Sequence, residues 1–297
     1  MSNRRTRPRG FATWNPRRET LALVCDVQSV LAEYADHLPL TIRQVFYRLV
    51  ATRDFDKTEA AYARLCETVN RARRAGLIDF AAIRDDGATR IEAPCWSGPE
   101  DFMATLRAHA QRFQLDRQDA QPVRLWVLCE AGGMAPMLAR VANPYGVPVL
   151  TSGGFDSLTA KHDLAQELAA AFDTGETAEV LHLGDLDPSG VHLFKALAED
   201  VAAMCRSLCG EEPTFTRLAV TPEHAARFDL PTAPPKKTDR RSFSGETVQC
   251  EAIAPDVLAG LLSDAIEARR DAEATDAIIT REAECRAYLS DVLDGAA

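Results

Sequence analysis

The sequence lacks the features of membrane-spanning proteins, of secreted proteins and of proteins with a structural zinc site. No apolar run approaches the roughly 18 residues that a membrane span needs, and the arginine-rich start lacks the apolar core of a signal peptide. The eight cysteines include no Cys-x-x-Cys pair. Cys205 and Cys209 are four apart with no matching Cys or His pair elsewhere, so structural zinc is not expected. We expect a cytoplasmic protein with reduced cysteines.

Positive charge is also in deficit, because the net charge is -10 at pH 7. This balance argues weakly against a chain coated by nucleic acid, although the distribution of charge matters more than its sum. Residues 1–18 hold six arginines and no acid. Such an arm can follow a phosphate backbone, or it can be a disordered, solvated tail.

Helical spacing and capping residues predict three helices in the first third of the chain, over residues 19–36, 42–52 and 58–74. Residues 77–94 then alternate around an Asp-Gly turn, which predicts a small hairpin. Three helices and a hairpin are the layout of a winged helix, whose third helix enters the DNA major groove. That helix is expected to expose a basic face, formed by Arg64, Asn70, Arg71, Arg73 and Arg74. The alternative is a small helical domain with a solvated basic face.

Tyr47 lies in the second predicted helix, off the centre of the apolar stripe and on the same side as Arg43. This position predicts a tyrosine that is more exposed than a core tyrosine, with a guanidinium beside it. An amphipathic tyrosine at the edge of the core is the common alternative.

From Val123 the pattern changes to alternating strands and helices, which predicts an α/β fold with a parallel sheet. Functional groups in such sheets gather beyond the carboxyl ends of the strands. Glu130, Asp185 and Asp187 all follow predicted strands, and three carboxylates there suit a hard divalent cation such as Mg²⁺, with Mn²⁺ as a possible substitute. A phosphatase of the haloacid dehalogenase type, a receiver-like domain and a surface turn with solvated aspartates are the alternatives for Asp-x-Asp.

Four segments together resemble a known family: "RQVFYRLV", "CEAGGM", "TSGGFDSL" and "GDLDPSG". They are similar to the A subunit of topoisomerase VI and its meiotic double-strand-break relatives, and more closely to short bacterial and phage proteins with the same two modules. The resemblance covers roughly residues 20–230.

The resemblance implies a winged helix followed by a Toprim domain, with Glu130, Asp185 and Asp187 as the metal ligands. It also implies that Tyr47, behind Arg43, is the nucleophile, and that the protein is a homodimer in which each tyrosine serves the metal site of the other subunit. Many relatives have lysine after the glutamate, where this chain has Ala131. Strand passage would need a separate ATPase subunit.

These features predict a basic arm over residues 1–18, a winged helix over 19–120, a Toprim domain over 121–230, and a basic loop with helices over 231–297. Lys236, Lys237, Arg240 and Arg241 are the basic residues of that loop. The expected function is Mg²⁺-dependent cleavage of double-stranded DNA through a phosphotyrosyl intermediate, in the cytoplasm at the nucleoid. A hydrolytic Toprim nuclease and a non-catalytic DNA-binding protein are the alternatives.

Overall fold

The computed structural model describes residues 11–84, 93–151, 158–235, 243 and 245–295. Ten α-helices lie in these residues: α1 (Arg18–Glu33), α2 (Ile42–Thr52), α3 (Glu59–Arg74), α4 (Pro99–Gln111), α5 (Ala135–Ala142), α6 (Leu158–Asp173), α7 (Pro188–Cys209), α8 (Pro222–Arg227), α9 (Pro255–Glu267) and α10 (Ala272–Gly295). The strands are β1 (Leu40–Thr41), β2 (Ile83–Arg84), β3 (Val123–Cys129), β4 (Val149–Thr151), β5 (Thr177–Leu183) and β6 (Thr214–Ala219).

The helices α2 and α3 begin and end where the sequence predicts, whereas α1 ends at Glu33, three residues before its predicted end. Thr41 caps α2 through a capping box, because its hydroxyl accepts from the Gln44 N–H and the Gln44 side chain accepts from the Thr41 N–H. Thr58 caps α3 by accepting from the Ala61 N–H at 3.1 Å. The chain leaves α3 at Gly76, whose φ of 73° lies in the left-handed region that glycine adopts without strain.

The central sheet is parallel throughout, with the strand order β4-β3-β5-β6. Alternate residues of β3 face opposite sides of it. Leu125 and Val127 belong to the cluster that includes the N-terminal helices, whereas Trp126 and Leu128 pack with α6 and α7. The predicted α/β fold with a parallel sheet covered by helices is therefore confirmed.

The predicted hairpin is not seen as such in the described residues. Ile83 and Arg84 form a short strand that pairs in parallel with Leu40 and Thr41. The predicted Asp-Gly turn falls within residues 85–92, which lie outside the described residues. The wing of a winged helix is thus untested.

One continuous cluster of buried side chains joins the N-terminal helices, one face of the sheet and the C-terminal part of the chain. It includes Val27 of α1, Leu49 of α2, Val127 of β3, Leu138 of α5 and Leu262 of α9. Because α9 packs against α5 and β6, the residues after 250 return to the sheet.

Two helices were not predicted, α4 and α8. A proline stands in the first turn of each, where its missing N–H costs nothing. Within the described residues, no helix combines the length and the apolar content needed to cross a bilayer.

Candidate active site

Three acidic residues lie at the carboxyl edge of the sheet, as the sequence predicts. Glu130 follows β3 and Asp185 follows β5, its neighbour in the sheet. Glu130 Oε2 accepts from the Asp185 N–H at 2.9 Å, which holds the two residues together. Asp187 caps α7 by accepting from the Gly190 N–H at 2.6 Å. The sheet therefore brings all three predicted ligands to one edge.

Two glycines leave room for these carboxylates. A Cβ added to Gly190 would lie 3.0 Å from Glu130 Oε2 and 3.4 Å from Asp187 Oδ1. One added to Gly184 would lie 2.5 Å from Glu130 Oε2 and 2.6 Å from Cε1 of His182. A side chain at either position would push the carboxylates out of place.

We predict that Gly184→Ala lowers the free energy of unfolding by roughly 1–3 kcal/mol through overpacking. The His182 ring cannot retreat easily, because it is buried and stacks on Phe194 with 4.0 Å between ring centroids. Gly260→Ala is the matched control, since nothing lies within 4 Å of an added Cβ in α9, and it should stabilise by up to about 1 kcal/mol. Urea denaturation measures both. Equal effects of the two changes would contradict the crowded arrangement around Glu130.

The edge that carries Glu130, Asp185 and Asp187, here called the acidic edge, has more negative than positive side chains. Burial raises the pKa of Glu130, and the neighbouring Asp185 carboxylate raises it further. Burial also raises the pKa of Asp185, partly offset by the hydrogen bond from the Cys250 N–H at 2.8 Å. Arg217 lies beneath this edge, where its guanidinium donates to the carbonyls of Gly184 and Asp185.

The donor chemistry fits a hard cation, since all three side chains offer carboxylate oxygens. One oxygen of each already accepts a backbone N–H. Among the described residues, no three acidic, His or Cys side chains are arranged as a complete set of metal ligands. The predicted Mg²⁺ site thus remains a prediction.

Tyr47 is buried, with 6% of its surface exposed, so the expectation of an exposed tyrosine is wrong. Its ring packs edge-to-face on Phe46, and its hydroxyl donates to Gln249 Oε1 at 2.7 Å. Burial raises the pKa of Tyr47 to about 12; the Arg43 guanidinium partly offsets this rise and the Asp185 carboxylate adds to it. The side of α2 that carries Tyr47 lies away from the apolar stripe of the helix, and residues distant in sequence, such as Gln249, cover it.

Arg43 stays beside Tyr47 as predicted, but a carboxylate holds it. Its Nε lies 3.5 Å from Oε2 of Glu251, whose side chain is 7% exposed. The other carboxylate oxygen of Glu251 accepts from the Thr41 hydroxyl at 2.5 Å. The charge of Arg43 is therefore largely compensated within the chain.

The segment Val248–Glu251, here called the strap, ties the two halves of the site together. Val248 exchanges two backbone hydrogen bonds with Leu186, at 2.8 and 3.0 Å. Gln249 then contacts Tyr47, the Cys250 N–H contacts Asp185, and Glu251 contacts Arg43. No local motif marks the strap as functional, because the partners of Gln249 and Cys250 lie 202 and 65 residues away in the sequence. Arg217 did leave a signal, because it is the one charged residue of β6.

A cavity of about 650 Å³, here called the tyrosine cavity, opens between α2, α3 and the acidic edge. Its lining includes Arg43, Tyr47, Lys57, Tyr62, Asp187 and Gln249. Thus the candidate nucleophile and one candidate metal ligand face the same space within a single chain.

The predicted basic face of α3 is largely engaged within the chain. Only Arg64 is exposed, and its guanidinium lies over the Phe55 ring. Arg71 pairs with Glu67 at 2.8 Å, Arg74 Nε donates to Asn70 Oδ1 at 3.0 Å, and Arg73 donates to the Phe80 and Ile83 carbonyls. The expectation that all five side chains are exposed is therefore wrong. Arg64 and Arg71 do line, with Arg17, a depression of about 930 Å³.

The basic residues Lys236, Lys237, Arg240 and Arg241 lie outside the described residues. A scan against protein-family models, a search of curated proteins and a search of solved structures each found no match to this chain.

Proposed function

We propose that this protein cleaves DNA phosphodiester bonds in the tyrosine cavity, with Tyr47 as nucleophile and a Mg²⁺ ion held by Glu130, Asp185 and Asp187. The observation that carries the proposal is that Tyr47, Arg43 and Asp187 line one cavity. Asp187 lies 144 residues after Arg43 in the sequence, and the fold brings both to the cavity that Tyr47 lines. The chain then consists of a winged-helix unit that presents Tyr47 and a Toprim unit that presents the acids.

The chemistry is an in-line transfer of a phosphoryl group. The Tyr47 hydroxyl loses its proton to water and its oxygen attacks phosphorus, and the bond to the 3′ oxygen breaks as the new P–O bond forms. The 3′ oxygen takes up a proton, which leaves a 3′-hydroxyl end and a 5′-phosphotyrosyl end. Bound Mg²⁺ would supply charge stabilisation at the phosphate and the leaving oxygen. Arg43 adds a guanidinium beside the attacking hydroxyl.

The acids must lose protons before they can hold a cation, and their raised pKa values oppose this at acidic pH. Cleavage should therefore require neutral to basic conditions. The homodimer implied by the resemblance places each tyrosine at the other subunit's acids. The shared lining of the tyrosine cavity supports a site that a single chain can assemble. A separate ATPase subunit remains part of the proposal only for strand passage.

A hydrolytic nuclease is the second candidate, and one observation favours it. The Tyr47 hydroxyl is committed to Gln249 and its pKa is raised to about 12, so the reactive phenolate is scarce at neutral pH. In this mechanism water attacks phosphorus at the same acids, and Tyr47 serves only to shape the cavity. The third alternative is a DNA-binding protein without catalysis.

Incubation of supercoiled plasmid with the full-length protein tests the proposal. With Mg²⁺ we expect nicked or linear DNA that migrates with protein unless the sample is treated with protease, and EDTA should prevent cutting. Products that enter the gel equally with and without protease would replace the tyrosine mechanism by hydrolysis. Intact plasmid, bound by the protein at all Mg²⁺ and Mn²⁺ concentrations, would leave only the binding function.

A further inference from the structure

Lys57 lies in the loop between α2 and α3 and lines the tyrosine cavity together with Asp187. Its ammonium donates to the Thr232 carbonyl at 2.5 Å, so a backbone group holds the side chain in place. Desolvation lowers the pKa of Lys57, and Glu246 only partly offsets this. Lys57 is thus a positioned cation at the wall of the cavity.

The charge balance of the cavity distinguishes its two cations. Arg43 is already paired with Glu251. Lys57, by contrast, forms its hydrogen bond with a neutral carbonyl, and the Glu246 carboxylate compensates its charge only partly. A cation of this kind is suited to an anion that arrives from outside the chain.

Tyr62 lies on the same wall, one turn into α3. Its ring packs edge-to-face on Phe46 with 5.2 Å between centroids, and the Arg43 guanidinium lies 5.9 Å from its centroid. Unlike Tyr47 it is only partly buried. Its hydroxyl is hydrogen-bonded to Cys66 and to the Arg43 guanidinium, and it can donate to an anion in the cavity by turning away from Cys66.

We propose that Lys57 and Tyr62 form a second phosphate subsite in the tyrosine cavity, which binds the phosphodiester next to the one that is cleaved. The inference rests on the proposed function and deepens it, because it makes the substrate a strand with at least two consecutive phosphates. Lys57 pairs with the phosphate as a point charge, and Tyr62 donates its hydroxyl to a phosphate oxygen. Both interactions have the same strength in the bound substrate and in the transition state of bond cleavage.

Binding of a fluorescein-labelled DNA duplex, measured by anisotropy over a KCl series without divalent metal, tests the charge. For Lys57→Gln we expect a plot of log K against log salt concentration that is shallower by about 0.9, the value for one phosphate contact. Lys57→Arg should restore the slope. Lys195→Gln is the matched control and should keep the wild-type slope, because Lys195 is 74% exposed on α7 and pairs with Glu199.

Cleavage kinetics test the role in binding. Lys57→Gln and Tyr62→Phe should each raise KM about tenfold and change kcat little, because a uniform binding contact acts on both states alike. A wild-type slope in Lys57→Gln, with unchanged KM in both variants, would overturn the subsite while leaving the cleavage function intact. If Tyr62→Phe loses the covalent adduct and Tyr47→Phe keeps it, Tyr62 is the nucleophile and the subsite is likewise overturned. Failure of the wild-type protein to bind or cut DNA would instead remove the proposed function itself.

Discussion

Asp185→Asn is expected to abolish cleavage and, at neutral pH, to stabilise the fold. Cleavage is lost because the amide is a far weaker ligand for a hard cation than a carboxylate. Stability rises because the variant removes a partly buried negative charge next to Glu130 and Asp187, while the amide oxygen can still accept from the Cys250 N–H. We expect a gain of roughly 0.5–2 kcal/mol, the range of many single stabilising changes.

The pH dependence of this gain follows from the direction of the pKa shift. Because burial raises the pKa of Asp185, the folded state favours the protonated acid. Its stabilising contribution is present at acidic pH, below the ordinary pKa of an aspartate, and is lost as the pH rises through the raised value. The advantage of the asparagine variant should therefore be largest at neutral pH and shrink as the medium is acidified.

Thermal denaturation in increasing Mg²⁺ or Mn²⁺ separates metal binding from catalysis. The wild-type Tm should rise with metal concentration, because a ligand that binds only the folded state stabilises it by mass action. Asp185→Asn should show no such rise, and Asp163→Asn, whose side chain is 63% exposed, should behave like the wild type. Equal responses of all three proteins would contradict a metal site at Asp185.

Tyr47→Phe is expected to eliminate both the covalent adduct and cleavage while preserving DNA binding. The change removes one hydroxyl and leaves the ring packed on Phe46. It also leaves Gln249 Oε1 without its donor, so we expect a loss of about 1 kcal/mol in the free energy of unfolding. Tyr145→Phe is the matched control, because it removes a hydroxyl that donates to Glu267 at 2.6 Å, away from the tyrosine cavity.

The pH profile of adduct formation offers a second measurement on Tyr47. With a pKa of about 12, the phenolate is a minor species at neutral pH, and its fraction grows tenfold with each pH unit. The rate in the wild type should therefore keep rising with pH through the weakly basic range. Cutting that persists in Tyr47→Phe, with no effect of protease, would falsify the tyrosine mechanism and establish hydrolysis.

Local sequence patterns were sufficient to predict the N-terminal helices, the parallel strands and the acidic edge. Thr41 and Thr58 cap the predicted helices because a cap depends on the residues of a single turn. Glu130 and Asp185 could be placed together because the ends of neighbouring parallel strands necessarily adjoin, once alternating strands and helices are recognised.

The exposure of side chains and the partners of charged groups could not be predicted from local sequence patterns. Helical periodicity placed Tyr47 off its apolar stripe, but the strap covers that side of α2, and the sequence gives no register between segments 202 residues apart. The arginines of α3 were expected to face solvent. Arg73 instead reaches the carbonyls of Phe80 and Ile83, because the chain after α3 folds back along it.

The sequence by itself determined the parallel α/β sheet, the three N-terminal helices and the set of acids at the strand ends, since each follows from periodicity, capping and strand direction within a short stretch. Only the tertiary structure decided that Tyr47 is buried, that Glu251 holds Arg43, and that Lys57 shares a cavity with Asp187. The physical reason is that burial and charge pairing depend on which distant segments pack together. That packing is the outcome of the whole hydrophobic core, and no local pattern encodes it.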